Sequence, residues 1–260
     1  MLQLKDVTIS YKNEPTVEHF NLNMKQGQIV SLVGESGSGK TTVIRAILGL
    51  LAGGGKVSDG SILFENQDLL SYTNEQWRKL RGTQISMIFQ DSGAMMNPTR
   101  KVGKVFTEYI LTHEKISKKE AWAKGCEMLG RMNLASPDNV MNSYPFQLSG
   151  GMRQRVGIAM GMTYQPKLLL ADEPTSALDV TTQAQIVRQM MELRDNYGTS
   201  IIVVTHNLGV AAYMSDYIVV MKNGKIEDEG TREHILHETE NEYTRSLLNA
   251  VPSVGGERFV

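Results

Sequence analysis

The chain has 260 residues, 41% of them hydrophobic, which is enough for one large domain or two closely joined subdomains with a sizeable core. Its 27 basic and 28 acidic residues leave a net charge of −1, which argues against recognition of nucleic acid or an anionic membrane surface by bulk charge. A single cysteine excludes an internal disulfide and a metal cluster built from cysteines.

The sequence carries no sign of export or of a membrane span. Residues 1–6 read MLQLKD and lack the basic start and apolar core of a secretory signal. Strongly apolar stretches such as 168–171 and 201–204 are far shorter than the ~20 residues needed to cross a bilayer. We therefore expect the chain to stay in the cytoplasm and other chains to provide any membrane crossing.

The predicted elements alternate between strands and helices. Short β-type runs cover 2–10 and 17–24, and a buried strand at 29–33 leads directly into a glycine-rich loop and a predicted helix from 40 to 51. The later elements are strands at 60–64 and 84–89, helical patterns from 91 to about 164, and apolar strands at 168–171 and 201–204. This alternation predicts an α/β fold with a mainly parallel sheet, interrupted by a helical insert.

The glycine-rich loop matches the phosphate-binding P-loop pattern in full, because residues 34–41 read GESGSGKT. Its backbone N–H groups can hold the phosphates of a nucleotide. We expect Lys40 to reach the β- and γ-phosphates and the Thr41 hydroxyl to bind Mg²⁺. The alternative is a glycine-rich turn without a ligand, and the strand before the loop and the helix after it disfavour that reading.

Polar side chains follow three of the apolar strands. Asp172 suits the magnesium shell, while the adjacent Glu173 can take a proton from a water in line with the γ-phosphate, or orient that water. His206 can donate to the γ-phosphate or hold the attacking water, and Gln90 can reach Mg²⁺ or the same water. Taken singly, these residues are also consistent with a helix cap, a structural histidine and an ordinary amide. Tyr11 can stack on adenine or be an ordinary strand residue.

A second phosphate-binding surface is predicted about a hundred residues beyond the first, where residues 148–152 read LSGGM. Ser149 is predicted to cap a helix, and Gly150 and Gly151 allow the backbone to approach a phosphate closely at the positive helix end. The alternative is an ordinary capped amphipathic helix. Since one chain should need one such surface, the second indicates a nucleotide held by a partner.

Together, the P-loop, Gln90, the LSGGM run, ADEPTSALD at 171–179 and His206 resemble an ATP-binding-cassette (ABC) ATPase over nearly the whole chain. The resemblance implies ATP and Mg²⁺ as ligands and cassettes that pair head to tail. Ser149 and Gly151 would then act on ATP held by the partner's P-loop, and Asp179 would lie in the loop linking the two sites. The nucleotide-binding residues that it implies are Tyr11, Gly34, Ser36, Gly37, Ser38, Gly39, Lys40, Thr41, Thr42, Ser149, Gly150, Gly151 and Asp179. The implied metal ligands are Thr41, Gln90 and Asp172, and the implied catalytic residues are Glu173, His206 and Gln90.

The resemblance also implies a division of the chain. The ATP-binding α/β core, with an N-terminal antiparallel β subdomain, is expected at 1–90 and 165–230. An inserted helical subdomain that carries the LSGGM run is expected at 91–164. A C-terminal tail extension is expected at 231–260.

Finer features resemble the cassettes of oligopeptide, dipeptide and nickel importers, namely YPFQ at 144–147, Asn97-Pro98 and the segment 243–252. They imply a peripheral ATPase subunit on the cytoplasmic face of the membrane that energises uptake of peptides or a chelated metal. The implied partners are a sister cassette, two integral membrane permease subunits and an extracytoplasmic substrate-binding protein, with no nucleic acid. The chain departs from such cassettes at 92–96 and has Asn207 where they usually have an aspartate.

Two other classes of function are alternatives to a transporter motor. A soluble cassette ATPase acting on nucleic acid or ribosomes usually holds two cassettes in one chain, whereas this sequence has one. A P-loop GTPase requires an Asn-Lys-x-Asp base reader, which the sequence lacks, and a P-loop kinase has no use for the Ser-Gly-Gly run. The sequence therefore favours the transporter motor.

Overall fold

The structure is a computed structural model that describes residues 1–90, 92–176, 178–250, 253–254 and 257–258. Its strands are β1 (Leu2–Tyr11), β2 (Glu14–Met24), β3 (Ile29–Val33), β4 (Lys56–Phe64), β5 (Gln67–Asp68), β6 (Ile85–Ile88), β7 (Leu168–Asp172), β8 (Ser200–Thr205), β9 (Tyr217–Lys222), β10 (Lys225–Thr231), β11 (Ser253–Val254) and β12 (Glu257–Arg258). Its helices are α1 (Lys40–Ile47), α2 (Asn74–Leu80), α3 (Ser92–Met95), α4 (Val102–His113), α5 (Lys118–Arg131), α6 (Pro137–Asn142), α7 (Gly150–Met162), α8 (Val180–Tyr197), α9 (Leu208–Met214) and α10 (Glu242–Asn249). None of the described helices is both long and apolar enough to cross a membrane.

Contacts divide the chain into two units, 1–77 with 198–260, and 78–197. The first unit contains an antiparallel sheet of order β2-β1-β4-β5. Along β1 the buried apolar positions shift from even to odd numbers between Leu4 and Val7, and a register shift with a left-handed Asp6 lies at that point. Because side chains alternate between the two faces of a strand, this bulge keeps the apolar residues on the buried face.

The first unit also contains β3, β8, β9 and β10, and β3 leads to the P-loop. β3 lies between β8 and β9 and is parallel to both, while β10 is antiparallel to β9. All five residues of β3 and all six of β8 are buried, which explains why both strands read as continuous apolar runs rather than as alternating patterns. The P-loop follows β3 directly and is followed by α1.

The second unit combines two parallel strands with helices. β6 pairs with β7 in the register Ile85↔Leu168 to Ile88↔Ala171, and the polar residues that follow the two strands therefore emerge side by side. α5 begins with a capping box in which the Ser117 hydroxyl accepts from the Glu120 N–H and the Glu120 carboxylate accepts from the Ser117 N–H. α7 packs against α3, α5 and β6.

The predicted α/β class is confirmed, with an antiparallel N-terminal sheet and parallel pairing of β3 with β8 and of β6 with β7. The predicted helix 40–51 is too long, because α1 ends at Ile47. Gly49 adopts a left-handed conformation (φ 64°), and the Leu50 N–H donates to the Arg45 carbonyl, which closes the helix in a Schellman motif. The predicted helical subdomain 91–164 falls within the second unit, which also includes β6, β7 and α8. The bounds of the helical subdomain stay a prediction.

Candidate active site

The P-loop is shaped by glycines that no other residue could replace without strain. Gly34, Gly37 and Gly39 have φ values of 150°, 83° and 100°. A Cβ on Gly34 would lie 2.1 Å from the Met221 carbonyl oxygen, and one on Gly39 would lie 2.8 Å from a Val17 methyl. The loop therefore needs glycine both for its backbone conformation and for its close packing against β2 and β9.

The loop leads into the N-terminus of α1, which has no side-chain cap. Gly39 is the N-cap of α1 and has no side chain to cap the helix, and the first turn of α1 carries no acidic residue. The first N–H groups of a helix have no partner within the helix, and they favour an anion. These features fit the phosphates of a nucleotide.

The side chain of Lys40, which is predicted to bind phosphate, lies against the P-loop backbone. Its side chain is 5% exposed, and its ammonium donates to the carbonyl oxygens of Gly34 (2.7 Å) and Glu35 (2.6 Å) and to the Ser38 hydroxyl (3.1 Å). A buried ammonium requires such acceptors. The loop thus holds the charge of Lys40 ready for phosphate oxygens.

The P-loop has a contact that the sequence does not predict. The Tyr243 hydroxyl at the start of α10 accepts a hydrogen bond from the Glu35 N–H at 3.2 Å, although the two residues are 208 positions apart. The Lys222 ammonium lies 4.4 Å from the centroid of the Tyr243 ring. Burial raises the pKa of the Tyr243 hydroxyl. No local pattern indicates a contact over such a separation, so the sequence offered no signal for it.

His206 and Tyr11 also lie in the first unit. In the parallel pairing of β3 with β8, Val33 stands opposite Thr205, so the P-loop and the exposed His206 leave the same edge of the sheet. Asn207 caps α9, because its side-chain oxygen accepts from the N–H groups of Gly209 (2.9 Å) and Val210 (3.3 Å). The amide at this position therefore has a structural role of its own.

Tyr11 ends β1, where its ring lies against a glycine. A Cβ built on Gly55 would be 2.5 Å from Tyr11 Cε1, so any larger side chain at position 55 would displace the ring. The ring is half-buried in this arrangement. Its predicted stacking on adenine stays a prediction.

The structure brings Gln90 and Glu173 together in the second unit. Gln90 follows β6, Glu173 follows β7, and the Gln90 amide nitrogen donates to a Glu173 carboxylate oxygen at 3.3 Å. Asp172, the last residue of β7, is 4% exposed. Glu173 has a φ of 44°, and a left-handed conformation is unusual for a glutamate. Backbone strain of this kind is common at functional sites.

The predicted cap of the second phosphate surface is confirmed. The Ser149 hydroxyl accepts from the Met152 N–H at 3.3 Å, and α7 begins at Gly150. A Cβ on Gly150 would meet nothing within 4 Å, so this helix end is open. Asp179 caps the following helix, α8, by accepting from the N–H (2.9 Å) and hydroxyl (2.8 Å) of Thr182, and the N–H bond is the main cause of its lowered pKa.

The spacing of Met152, Val156, Ala159, Met160 and Thr163 predicts that these residues form one buried face of α7. Val156, Ala159 and Thr163 are buried as expected, whereas Met152 and Met160 are only partly buried. The helix also buries Gln154 and Ile158. Gln154 is therefore a second residue that the pattern missed. Its signal in the sequence is the run of small and apolar residues on both sides of the helix, which is typical of a helix buried nearly all round.

The predicted site residues thus form two groups, each within one unit. The P-loop residues Gly34, Ser36, Gly37, Ser38, Gly39, Lys40, Thr41 and Thr42, with Tyr11 and His206, lie in the first unit. Gln90, Ser149, Gly150, Gly151, Asp172, Glu173 and Asp179 lie in the second. The oxygen atoms of Thr41, Gln90 and Asp172 are the kind of donor that Mg²⁺ prefers.

Known proteins resemble this chain in sequence and in fold. Residues 17–176 match the family model described as "ABC transporter". The oligopeptide transport ATP-binding protein AppD of Bacillus subtilis (strain 168) is 42% identical over 244 residues, which are 94% of this chain and 74% of that protein. The dipeptide transport ATP-binding protein DppD of Lactococcus lactis subsp. cremoris (strain MG1363) is 38% identical over 98% of this chain and 74% of that protein.

A solved structure extends the likeness to the fold. The ATP-binding cassette MJ0796, captured as a dimer in a post-hydrolysis state bound to ADP and Pi, matches with a TM-score of 0.80 and 32% identity, over 89% of this chain and 99% of that one. The sequence match covers more than half of the chain, and the fold agrees with it. The chain therefore belongs to the ABC transporter family and is an ABC ATPase.

Proposed function

We propose that this chain is the ATP-hydrolysing subunit of an importer, which energises uptake of peptides through separate membrane subunits. The observation that carries the proposal is its similarity to oligopeptide and dipeptide transport ATP-binding proteins over more than nine-tenths of its length. Chelated metal, as in nickel importers, is the other cargo that the resemblance in the sequence implies. The partners would be a second cassette, two permease subunits and an extracytoplasmic binding protein, with the chain at the cytoplasmic membrane face.

In this proposal the first unit binds the phosphates of ATP. The Lys40 ammonium exchanges loop carbonyls for β- and γ-phosphate oxygens, and the N-terminal N–H groups of α1 donate to the same phosphates. Thr41, with Asp172 and Gln90, would hold Mg²⁺, which neutralises phosphate charge when bound. His206 donates a hydrogen bond to the γ-phosphate, and Tyr11 stacks on the adenine.

The second unit supplies the group that activates water. Glu173 accepts a proton from the attacking water, and the Gln90 amide holds one of its two carboxylate oxygens so that the other faces the water. Ser149 and Gly151 act on ATP bound to a partner cassette, where the open N-terminus of α7 favours the γ-phosphate. ATP would then stabilise a head-to-tail dimer, and its hydrolysis would release it.

The cargo is tested by purifying the intact complex from membranes under mild conditions. Mass spectrometry should identify two membrane proteins, a second cassette and a bound peptide. A bound metal chelate would replace the peptide proposal with the nickel-type cargo. Recovery of ribosomal or nucleic-acid-binding partners without membrane proteins would contradict the importer and favour the soluble alternative.

The role of Glu173 is tested by Glu173→Gln, which keeps the shape of the side chain but removes its basicity. We expect ATP binding to be retained and kcat to fall by about 10²–10⁴-fold, the usual contribution of a general base. Glu192→Gln, on the exposed side of α8, is the matched control and should leave kcat unchanged. Normal turnover by the Glu173 variant would remove that residue from the role of base.

A further inference from the structure

A buried amide connects three segments of the second unit. Gln154 of α7 is 4% exposed, and its amide nitrogen donates to the carbonyl oxygens of Phe89 (3.2 Å) and Pro174 (3.0 Å). Its amide oxygen accepts from the Ser92 N–H at 3.2 Å. Both donors and the acceptor of this side chain are therefore satisfied by main-chain groups.

The same helix face is fitted closely to the segment after β6. A Cβ on Gly157, three residues beyond Gln154, would lie 2.3 Å from the Ser92 hydroxyl oxygen and 2.4 Å from its Cβ. Glycine at position 157 thus lets Ser92, which is 3% exposed, pack directly against α7. This close approach brings the Ser92 N–H within reach of the Gln154 amide.

The three main-chain partners of Gln154 flank the residues proposed to carry out hydrolysis. Phe89 and Ser92 stand on either side of Gln90 in the chain, and Pro174 directly follows Glu173. Gln90 and Glu173 are joined by their own hydrogen bond. The amide thus ties both residues to the helix that begins directly after Ser149.

We propose that Gln154 is a positioning residue for ATP hydrolysis, which holds Gln90 and Glu173 in a set place relative to α7. It follows that a displacement of the Ser149 end of α7, where a partner's ATP would bind, is passed through Gln154 to the Glu173 of the same chain. This inference rests on the proposed function, because it takes Glu173 as the base. An amide is required, since only a side chain with two N–H groups and an oxygen satisfies all three partners.

The test compares Gln154→Glu and Gln154→Met with the wild-type full chain, purified with its co-purifying subunits. The carboxylate places an acceptor against two carbonyl oxygens, and the thioether leaves all three main-chain groups without their amide partner. We expect kcat to fall by about 10–100-fold because small misplacements of catalytic groups have effects of this size. The KM and Kd for ATP should change by less than about two-fold, because neither substitution alters a P-loop residue.

Two controls separate positioning from a loss of structure. Gln189→Met removes another buried amide of the same unit, 7% exposed on α8, and should leave kcat unchanged. In a Glu173→Gln background, Gln154→Met should alter the residual turnover by less than about two-fold, because the base is already lost and Gln90 no longer has a carboxylate to hold. If the charge of Gln154→Glu prevents folding, Gln154→Met still tests the proposal, since it adds no charge to the core.

An unchanged kcat in folded Gln154→Met would overturn the proposal. So would a loss of kcat that persists in full in the Glu173→Gln background, or a rise in KM with kcat unaltered. A wild-type chain without ATP turnover would instead contradict the proposed function. That result is distinct from normal wild-type turnover with an unaffected Gln154 variant.

Discussion

At the scale of single residues, the polar groups of this protein are held by acceptors and donors that the main chain supplies. Lys40 is satisfied by P-loop carbonyls, and Gln154 by the backbone around Gln90 and Glu173. Burying such groups without partners would cost a few kcal/mol each, of order 1–3 from protein mutational data. The main chain therefore fixes where these side chains point, and it restricts the substitutions that each position tolerates.

His113 belongs to a cluster of aromatic rings in the second unit, where it packs edge-on against Tyr109 and Tyr164 with ring centroids 5.3 Å apart in both cases. Burial lowers the pKa of His113, Arg78 lowers it further and Glu114 opposes the change. In the same cluster, burial and then Glu114 raise the pKa of Tyr164 to about 12. The folded protein thus disfavours the charged form of His113.

This lowered pKa predicts a loss of stability in acid. An unfolded histidine, with a pKa of about 6.5, takes up a proton more readily than the folded one, so the free energy of unfolding should decrease as the pH falls below about 6.5. Above that pH neither state is protonated and the group has no effect. Urea unfolding at pH 7.5 and 5.5 should show a larger decrease for wild type than for His113→Gln. Equal decreases would show that another group is responsible.

At the scale of elements, α10 is joined to the nucleotide-binding loop. Leu248 of α10 is part of a buried cluster that includes Val33 at the end of β3, with Leu208, Ala211, Ile218, Val220 and Ile235. Asn241 caps the helix, and Asp228 accepts from the Thr244 hydroxyl at 2.8 Å. These contacts hold Tyr243 where it receives the Glu35 N–H. α10 thereby supports the P-loop at Glu35.

Tyr243→Phe should weaken nucleotide binding without unfolding the protein. The change removes the acceptor for the Glu35 N–H but keeps the ring, and a hydrogen bond of this kind contributes about 0.5–1.5 kcal/mol. We expect a Kd for a fluorescent ATP analogue about 2–10-fold higher. Tyr213→Phe, on a side chain that is 61% exposed, is the control. An unchanged Kd, or the same rise in the control, would show that α10 does not support the P-loop.

At the scale of the whole molecule, the predicted site residues are divided between two units of the chain. The first holds the P-loop residues, Tyr11 and His206, and the second holds the acidic residues, Gln90 and the Ser149 helix. The end of α7 is open and carries no acidic residue in its first turn. Such a helix end suits an anion from outside the chain, in agreement with the proposed head-to-tail dimer.

The proposed dimer predicts that Ser149 acts across the interface. In mixed dimers with one Ser149→Arg cassette, the mutated chain should bind ATP at its own P-loop with unchanged Kd. Hydrolysis should fail at the P-loop of the wild-type partner, because the bulky side chain blocks the γ-phosphate surface that faces it. Single-turnover assays with differently tagged cassettes can measure each site. Loss of hydrolysis at the mutated chain's own P-loop would contradict the arrangement.

Much of the candidate site could be predicted because its signals are local. The P-loop has a fixed spacing between a strand and a helix, and Gln90, Asp172, Glu173 and His206 all follow apolar strands. The end of α1 was misjudged because the Gly53-Gly54-Gly55 run is a more conspicuous signal than Gly49, which closes the helix. A Schellman closure depends on the conformation of one residue, and the sequence around it does not determine that conformation.

The sequence by itself determined the α/β class and the phosphate-binding loop. It also determined the cap at Ser149. The class depends on the alternation of strand and helix patterns along the chain, whereas the loop and the cap each depend on residues that are close together in the sequence. Only the tertiary structure decided that Tyr243 supports Glu35 and that Gln154 joins the segments of Gln90 and Glu173. These contacts join residues 20 to 208 positions apart. They form when packing brings main-chain groups close to a side chain that can satisfy them. A periodic pattern along the sequence does not indicate which distant residues will come into contact.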